Sequence, residues 1–153
     1  MAFPNSKTGF TIRERGRAAF AALWLAGKQL VATAGFAIAQ GASSNITLVT
    51  IQVEDKNGNA IAGVYSLAIW LSDAATGIGV TGTTASGNVV AGASGTDIVD
   101  LTSKKVKKVL TDATGKYILS ITDTAKTGFY VTVVNPSTGL LVVSRQLVAG
   151  DYK

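Results

Sequence analysis

The chain has 153 residues, 47% of them apolar, which is enough for one domain with a core of its own but too few for two. It contains no cysteine and no histidine, so it lacks thiol nucleophiles, imidazole bases, disulfides and the commonest zinc and haem ligands. Its nine carboxylates are scattered along the chain, mostly in turn-like segments, and no pair is indicated that would act on one glycosidic bond. We therefore predict a non-enzymatic protein with no cofactor, no metal site and no small-molecule substrate.

Positive charge is concentrated near the N-terminus. Residues 1–45 carry five basic residues and one acidic residue, or +4, whereas residues 46–153 carry nine basic and eight acidic residues and add only +1. The five basic residues are Lys7, Arg13, Arg15, Arg17 and Lys28. A basic segment on a near-neutral body suggests an acidic protein surface, nucleic acid or a lipid headgroup layer as partner. The total of +5 is modest, however, and it favours solubility and steering over a specific nucleic-acid or membrane partner.

Residues 1–45 are predicted to form an anchoring arm with a short helix. Thr11 and Glu14 make a T-x-x-E capping box ahead of an Ala- and Leu-rich run, and Gly27 stands where a helix would end. We expect the helix to run from about residue 12 to about residue 26. The side chains expected to contact a partner are the aromatic anchors Phe3, Phe10, Phe20 and Trp24 and the carboxylate-binding Arg13, Arg15 and Arg17.

Two other interpretations compete for this N-terminal segment. A transmembrane helix needs about 20 uninterrupted apolar residues, and Lys28 with Gln29 splits the run into halves that are too short. A signal peptide would explain three arginines ahead of an apolar run and the small residues of AIAQGA. The basic region comes late, however, and Glu14 lies within it. We favour an arm that is retained and becomes ordered on a partner.

From about residue 46 the sequence changes to the alternating pattern of β-strands. Turn segments rich in Gly, Asn, Asp and Pro separate the apolar runs. The six predicted strands are 46–53, 64–71, 105–110, 116–122, 129–134 and 140–148. Short strands with tight connections and no intervening helix indicate an antiparallel β-sandwich over residues 46–153. We expect the immunoglobulin-like form first and a jelly roll as the alternative.

Alternation assigns the faces of the strand predicted over 64–71. Its core side chains should be Tyr65, Leu67, Ile69 and Leu71. Trp70 then points to the other face, where an exposed tryptophan tends to mark an interface. We include Trp70 among the partner-contact residues, with the equally weighted alternative that it caps the edge of its own core.

The Gly-, Ser- and Thr-rich segment 77–103 is too long for a plain connection. It lacks the Gly-Lys-Ser/Thr end of a P-loop, and its GIGVTG string has no following helix, so we predict no nucleotide site. We expect an irregular extension with one or two short strands, lying against another subunit. The basic run KKVKK at 104–108 has no interleaved aromatics, and we interpret it as a guard on an exposed edge strand rather than a polyanion site.

Two segments repeat one plan, VEDKNGNAIAG at 53–63 and TDATGKYILSI at 111–121. The spacing of Asp55, Asn57 and Asn59 could supply calcium ligands. An EF-hand loop counted from Asp55 needs Gly at its sixth position and Glu at its twelfth, where this chain has Ala60 and Ser66. We interpret both segments as tight turns, each with an acidic residue followed by a Gly that can adopt positive φ, and keep a calcium ion at one turn as a minor alternative.

The strand, turn and strand plan of residues 49–73 and 109–134 resembles the bacterial Ig-like repeats. The phrases IWLSDAATG at 69–77 and TDATGKYILSITDTAKTGFYV at 111–131 resemble small virion structural proteins of tailed bacteriophages. This resemblance implies a domain that decorates or cements the capsid shell, or that sits on another part of the virion. It implies no catalytic residue.

We therefore expect a capsid decoration or cement protein on the surface of the virion, assembled in the cytoplasm of the bacterial host. Its expected partners are the major capsid protein and neighbouring copies of itself, in a homo-oligomeric arrangement on the shell. The alternatives are a secreted or surface-displayed bacterial Ig-like adhesion module, and a component of the phage tail or of the head-to-tail joint.

Overall fold

A computed structural model describes residues 32–153. The helix predicted over 12–26 lies outside the described residues. So do seven of the predicted contact residues, namely Phe3, Phe10, Arg13, Arg15, Arg17, Phe20 and Trp24.

The described chain folds as two antiparallel sheets packed face to face, which confirms the predicted β-sandwich. Its strands are β1 Thr33–Gln40, β2 Ile46–Glu54, β3 Ser66–Ser72, β4 Val89–Ala91, β5 Thr96–Thr102, β6 Val106–Leu110, β7 Lys116–Thr122, β8 Tyr130–Val134 and β9 Leu141–Val143. One sheet has the order β1-β2-β7-β4 and the other the order β5-β6-β3-β8-β9. Four strands facing five is the division found in variable-type immunoglobulin domains. A single 3-10 turn follows at Ala149–Asp151, and no helix within residues 32–153 is long and apolar enough to cross a membrane.

The core lies between the two sheets and is built by alternation. Along β2 every second residue is buried, and β7 shows the same pattern across the sheet. The most deeply buried apolar side chains are Val49, Ile51, Val53, Leu67, Ile69, Leu71, Val109, Leu119, Ile121, Phe129, Val131, Val133 and Leu147. The predicted core face of β3 is confirmed, because Leu67, Ile69 and Leu71 are buried and Tyr65 packs against the same cluster.

Residues 33–40, which we predicted as part of the arm, form β1 of the sandwich. This strand pairs with β2 in continuous register from Thr33 opposite Glu54 to Gln40 opposite Thr47. Phe36 and Ile38 pack against the core, so alternation operates here too. Alanine and glycine occupy the neighbouring positions, so the alternation is hidden in what looks like a uniform run of small residues. The boundary predicted at residue 45 therefore falls between two paired strands.

The last predicted strand is shorter than expected. Regular pairing of β9 with β8 ends at Val143, whereas the apolar pattern predicted a strand over 140–148. Beyond that point the Ser144 hydroxyl, rather than a backbone carbonyl, accepts the Val131 N–H at 2.9 Å. The chain still runs beside β8, since Leu147 N–H donates to the Phe129 carbonyl. A side-chain hydrogen bond has thus replaced one rung of the ladder.

The segment 77–103 contains two short strands, as predicted. These are β4 and β5, and each forms an edge of a different sheet. The connection 92–95 between them is short, so both edges lie on the same side of the sandwich. β1 and β9 form the edges on the opposite side.

Candidate interaction surface

Exposed apolar side chains concentrate on β5. Ile98, Val99 and Leu101 are 47%, 44% and 63% exposed, on a strand that pairs only with β6. We call the surface formed by Ile98, Val99, Asp100 and Leu101 the β5 edge. Edge strands rarely expose three apolar side chains, and such surfaces tend to be interaction sites.

Two irregularities shape the β5 edge. The pairing with β6 shifts between Asp97 and Val99 and again between Asp100 and Thr102, so Ile98 and Leu101 have no partner residue on β6. β-Bulges twist an edge strand and oppose the addition of another strand to it. The β5 edge is therefore suited to contact through side chains rather than through a backbone ladder.

A network of charged and phenolic groups fixes β5 against the other sheet. Asp97 on β5 accepts a hydrogen bond from the Tyr117 hydroxyl of β7 at 2.5 Å and one from the Ala91 N–H of β4 at 3.2 Å. Lys107 on β6 donates to Asp97 at 2.9 Å and also pairs with Asp100. Tyr117 is fully buried and Lys107 is 3% exposed. One carboxylate thus connects its own strand β5 to three other strands, and the two sheets to each other.

The directions of the pKa shifts of Asp97, Lys107 and Tyr117 agree with a fixed ion pair. Burial alone would raise the pKa of Asp97, but hydrogen bonds from Tyr117 and Lys107 outweigh it and lower that pKa. Burial likewise would lower the pKa of Lys107, and its hydrogen bonds to Asp100 and Asp97 reverse the direction. Burial, followed by the bond to Asp97, raises the pKa of Tyr117. Near neutral pH Asp97 is therefore a carboxylate, Lys107 an ammonium group and Tyr117 a protonated phenol.

The lysine run does not lie on an edge strand, so our interpretation of it as an edge guard is wrong. β6 pairs with β5 on one side and β3 on the other. Lys105 donates to the carbonyls of Thr81 and Gly82 at 3.0 and 2.8 Å, and Lys104 to that of Ala85 at 3.4 Å. The ammonium groups of Lys104, Lys105 and Lys107 therefore all bind acceptors within the domain and stabilise its fold.

Trp70 lies half-buried on the outer face of β3, the middle strand of the five-stranded sheet. Its neighbours across the sheet are Val106 and Thr132. The indole N–H donates to the Gly77 carbonyl at 2.9 Å, so the turn that follows β3 covers part of the ring. A contact of Trp70 with a partner stays a prediction.

The loop after this turn presents a second apolar feature. Ile78 is 73% exposed and Val80 is 48% exposed. The loop is nevertheless well tied, because the Asp73 carboxylate accepts the Thr81 hydroxyl at 2.5 Å and the Gly82 N–H at 2.9 Å. Those bonds also lower the pKa of Asp73, the hydroxyl bond having the larger effect.

The outer face of the four-stranded sheet carries no charge over its central area. Two cross-strand rows run across it, Ala39, Leu48, Ser120, Val90 and Ala37, Thr50, Ile118. Charged residues enter only towards one end, at Glu54 and Lys116. Solvated sheet faces are usually polar, so a face of small and apolar residues without charge is a candidate contact surface.

The two repeated segments are tight turns, which confirms that interpretation. Asp55 Oδ1 accepts the N–H groups of Asn57 and Asn59 at 2.7 and 2.9 Å. Asp112 Oδ1 makes the equivalent bonds to Thr114 and Lys116 at 2.8 and 3.1 Å. In each turn the glycine three positions after the aspartate has φ near +80°, namely 82° and 80°. Within residues 32–153 no group of three or more potential ligands is arranged to hold a metal ion.

Sequence reasoning missed both the β5 edge and the inward lysine. A signal for the lysine was present, because Lys107 stands two residues before the core residue Val109 and therefore shares its face. The edge position of β5 had no such local signal. In comparisons with known proteins, no family model, no curated protein and no solved structure matches this chain.

Proposed function

We propose that this chain is a structural protein of a tailed-phage virion, acting as a capsid decoration or cement protein that binds the lattice of the major capsid protein. The observation that carries the proposal is the outer face of the four-stranded sheet, which carries no charge over its central area. The resemblance of residues 69–77 and 111–131 to small virion proteins of tailed phages supplies the phage context. The ionic groups near β5 and the 73–85 loop are engaged within the fold, which supports a binding role over a catalytic one.

The size of the face indicates what else must take part in binding. Four strands about 4.8 Å apart and roughly five residues of about 3.3 Å each cover on the order of 300 Å². A stable protein interface buries about 800 Å² on each partner. The sheet face therefore needs further contact area. We expect residues 1–31 and neighbouring copies on the shell to supply it.

A protein bound across capsomer boundaries stabilises the shell by mass action. It binds the assembled lattice and not the separated subunits, so its binding free energy opposes dissociation and expansion of the shell. This role needs high copy number and complementary surfaces, and it needs no reacting group.

Purified virions provide the test, by quantifying this chain on a stained gel against the major capsid protein. We expect on the order of hundreds of copies per particle, as symmetric shell sites require. A few dozen copies or fewer would place the protein on the tail or the head-to-tail joint instead. Absence from virions, with the protein found on cells or in the medium, would refute the proposal in favour of the adhesion module.

A substitution pair tests the role of the sheet face. Thr50→Arg places a charge between Ala37 and Ile118 and should lower the occupancy on particles at least tenfold, because an unpaired charge opposes burial. Val64→Arg is the matched control, since Val64 is 62% exposed outside this face. Equal occupancy for both variants would exclude this face as the contact.

A further inference from the structure

We propose that two copies of this chain pair through the free edge of β1. The two strands run antiparallel about a two-fold axis at Ala37 and join the four-stranded sheets of both copies into one continuous sheet. The inference concerns contact between copies of this chain, is tested on the purified protein, and does not depend on the virion role proposed above.

Of the four edge strands that residues 32–153 form, β1 alone has no feature that opposes pairing. β5 has two bulges, and β4 and β9 are three residues long. β1 is eight residues long, pairs with β2 in unbroken register, and contains no charged residue and no proline. Short length, bulges, charges and prolines are the means by which edge strands avoid pairing. The free edge of β1 is therefore a template for another strand.

Alternate backbone groups of β1 point to this free edge. The Gly41 N–H donates to the carbonyl of Ile46, the residue opposite it, at 2.8 Å. Hydrogen-bonded pairs alternate with non-hydrogen-bonded pairs along an antiparallel ladder. The residues of β1 whose N–H and C=O groups point away from β2 are therefore Ala34, Phe36, Ile38 and Gln40. Among the residues that the structure describes, none forms a backbone hydrogen bond with these groups.

The β1 strand is complementary to a second copy of itself. With Ala37 on the two-fold axis, Phe36 of each copy lies opposite Ile38 of the other, on the inner side of the sheet. Both side chains are only partly buried within one copy, and pairs of aromatic and β-branched side chains stabilise neighbouring strands. This register also places Ala34 opposite Gln40, so all four outward-pointing residues find a partner.

The charges beside β1 favour the antiparallel arrangement. The Glu54 carboxylate lies over Gly35, near one end of β1. The Lys153 ammonium group donates to the Ala42 carbonyl at 2.6 Å, just beyond the other end. Antiparallel pairing brings the Glu54 end of each copy beside the Lys153 end of the other, which is a complementary arrangement of charge. The two Glu54 carboxylates stay roughly 13 Å apart along the strands, where their repulsion is screened.

Pairing through β1 extends to both sheets. β9 is the edge of the five-stranded sheet on the same side, where Leu140 and Leu141 are 69% and 39% exposed. A two-fold axis normal to the sheets turns the β9 edges of the two copies towards each other, so these leucines lie on the contact side. The same axis continues the outer face of the four-stranded sheet from one copy to the next and doubles its area.

The chain's own residues 1–31 are the other segment that could reach this edge. The Ala32 N–H, which also points away from β2, donates to the Ser137 hydroxyl at 2.9 Å. A segment that turned back tightly from Ala32 onto β1 would have to displace this hydroxyl. A second copy meets β1 further along, between Ala34 and Gln40, and leaves the bond in place. The geometry therefore favours the second copy.

Cysteine linking tests the register directly, because the natural chain has no cysteine. In full-length Ala37→Cys protein the two thiols lie across the axis at a non-hydrogen-bonded position, where Cα atoms about 4.5 Å apart allow a disulfide. Mild oxidation should link the protein as dimers. Ala39→Cys, also exposed and on the same face, is the matched control and should link at least about tenfold less, since its two thiols lie roughly four residues apart. Linking of Ala37→Cys no better than that of Ala39→Cys overturns the proposal.

Sedimentation equilibrium of the full-length protein gives the second test. We expect association that stops at the dimer, because a two-fold contact closes on itself. Ala37→Lys should weaken the dimer about fivefold, since two ammonium groups then lie opposite each other. Ala39→Lys should not weaken it, because position 39 lies opposite Gly35, where the Glu54 carboxylate of the other copy provides a counterion.

Two results of the sedimentation experiment overturn the proposal. One is a chain that is monomeric at all concentrations, as expected if its own residues 1–31 cover β1. The other is equal weakening of the dimer by Ala37→Lys and Ala39→Lys. Absence of the protein from virions, by contrast, would refute the proposed function and leave the dimer intact.

Discussion

At the turns, a single aspartate directs the backbone through its carboxylate. Asp112 Oδ1 accepts the Thr114 hydroxyl at 2.6 Å in addition to two N–H groups, and its own N–H donates to the Lys116 carbonyl. Asp123 builds a related turn in which Lys126, with φ of 50°, stands where the other turns have glycine. The carboxylate satisfies amides that the reversing chain would otherwise leave unpaired.

Two glycine substitutions separate backbone strain from steric conflict. Gly58→Ala should cost about 1 kcal/mol, because φ is 82° but a Cβ would have no neighbour within 4 Å. Gly115→Ala should cost at least twice as much, since its Cβ would also lie 2.1 Å from the Ile61 carbonyl oxygen. Urea denaturation measures both. Equal losses would show that the turn at Gly115 relaxes freely away from Ile61.

Strand β6 shows how one element combines core and surface positions. Lys107 and Val109 face inward, whereas Lys108 is exposed between them. The inward lysine is tolerated because two carboxylates of the neighbouring strand meet it. The charge pattern of this element therefore depends on the strand beside it.

Replacing Lys107 tests the network at the level of the strand pair. Lys107→Met should lower the free energy of unfolding by about 2 kcal/mol, because Asp97, whose side chain is 26% exposed, then loses its counterion in a partly buried position. Lys108→Met, one residue away and exposed, should stay within about 0.5 kcal/mol. Denaturant midpoints of the two variants give the comparison. Similar midpoints would mean that the pair of Lys107 and Asp97 adds nothing to stability.

Several hydrogen-bonded carboxylates make the stability of the whole molecule depend on pH in the acid range. Hydrogen bonds lower the pKa of each of Asp55, Asp73, Asp97, Asp112, Asp123 and Asp151. For Asp112, bonded first of all by the Thr114 hydroxyl, the pKa falls to about 2. The ordinary value in an unfolded chain is about 3.9, so the unfolded state takes up protons first as the pH falls.

Stability should therefore be constant from about pH 5 to neutral pH and should fall between about pH 4 and pH 2. Urea midpoints measured from pH 6 to pH 2.5 check this expectation. Asp112→Asn should start lower at pH 6, having lost a carboxylate acceptor, and should decline less steeply below pH 4. An unchanged midpoint down to pH 2.5 would contradict a role for these carboxylates in folding.

The sequence by itself determined the strand pattern from residue 46, the turn chemistry of Asp55 and Asp112, and the core face of β3. These depend on neighbouring residues, because alternation and turn geometry are properties of a few consecutive positions. The virion role and the helix over 12–26 stay predictions.

Only the tertiary structure decided that β1 belongs to the sandwich, that β5 is an edge, and that Lys107 points inward to Asp97. Each of these depends on which strand lies beside which, and β4 and β5 reach opposite sheets although four residues separate them. Strand order follows from long-range packing of two sheets, which a local pattern of apolar and polar residues does not specify. The uncharged outer face of the four-stranded sheet and the edges of both sheets could therefore be recognised only once the sheets were assembled.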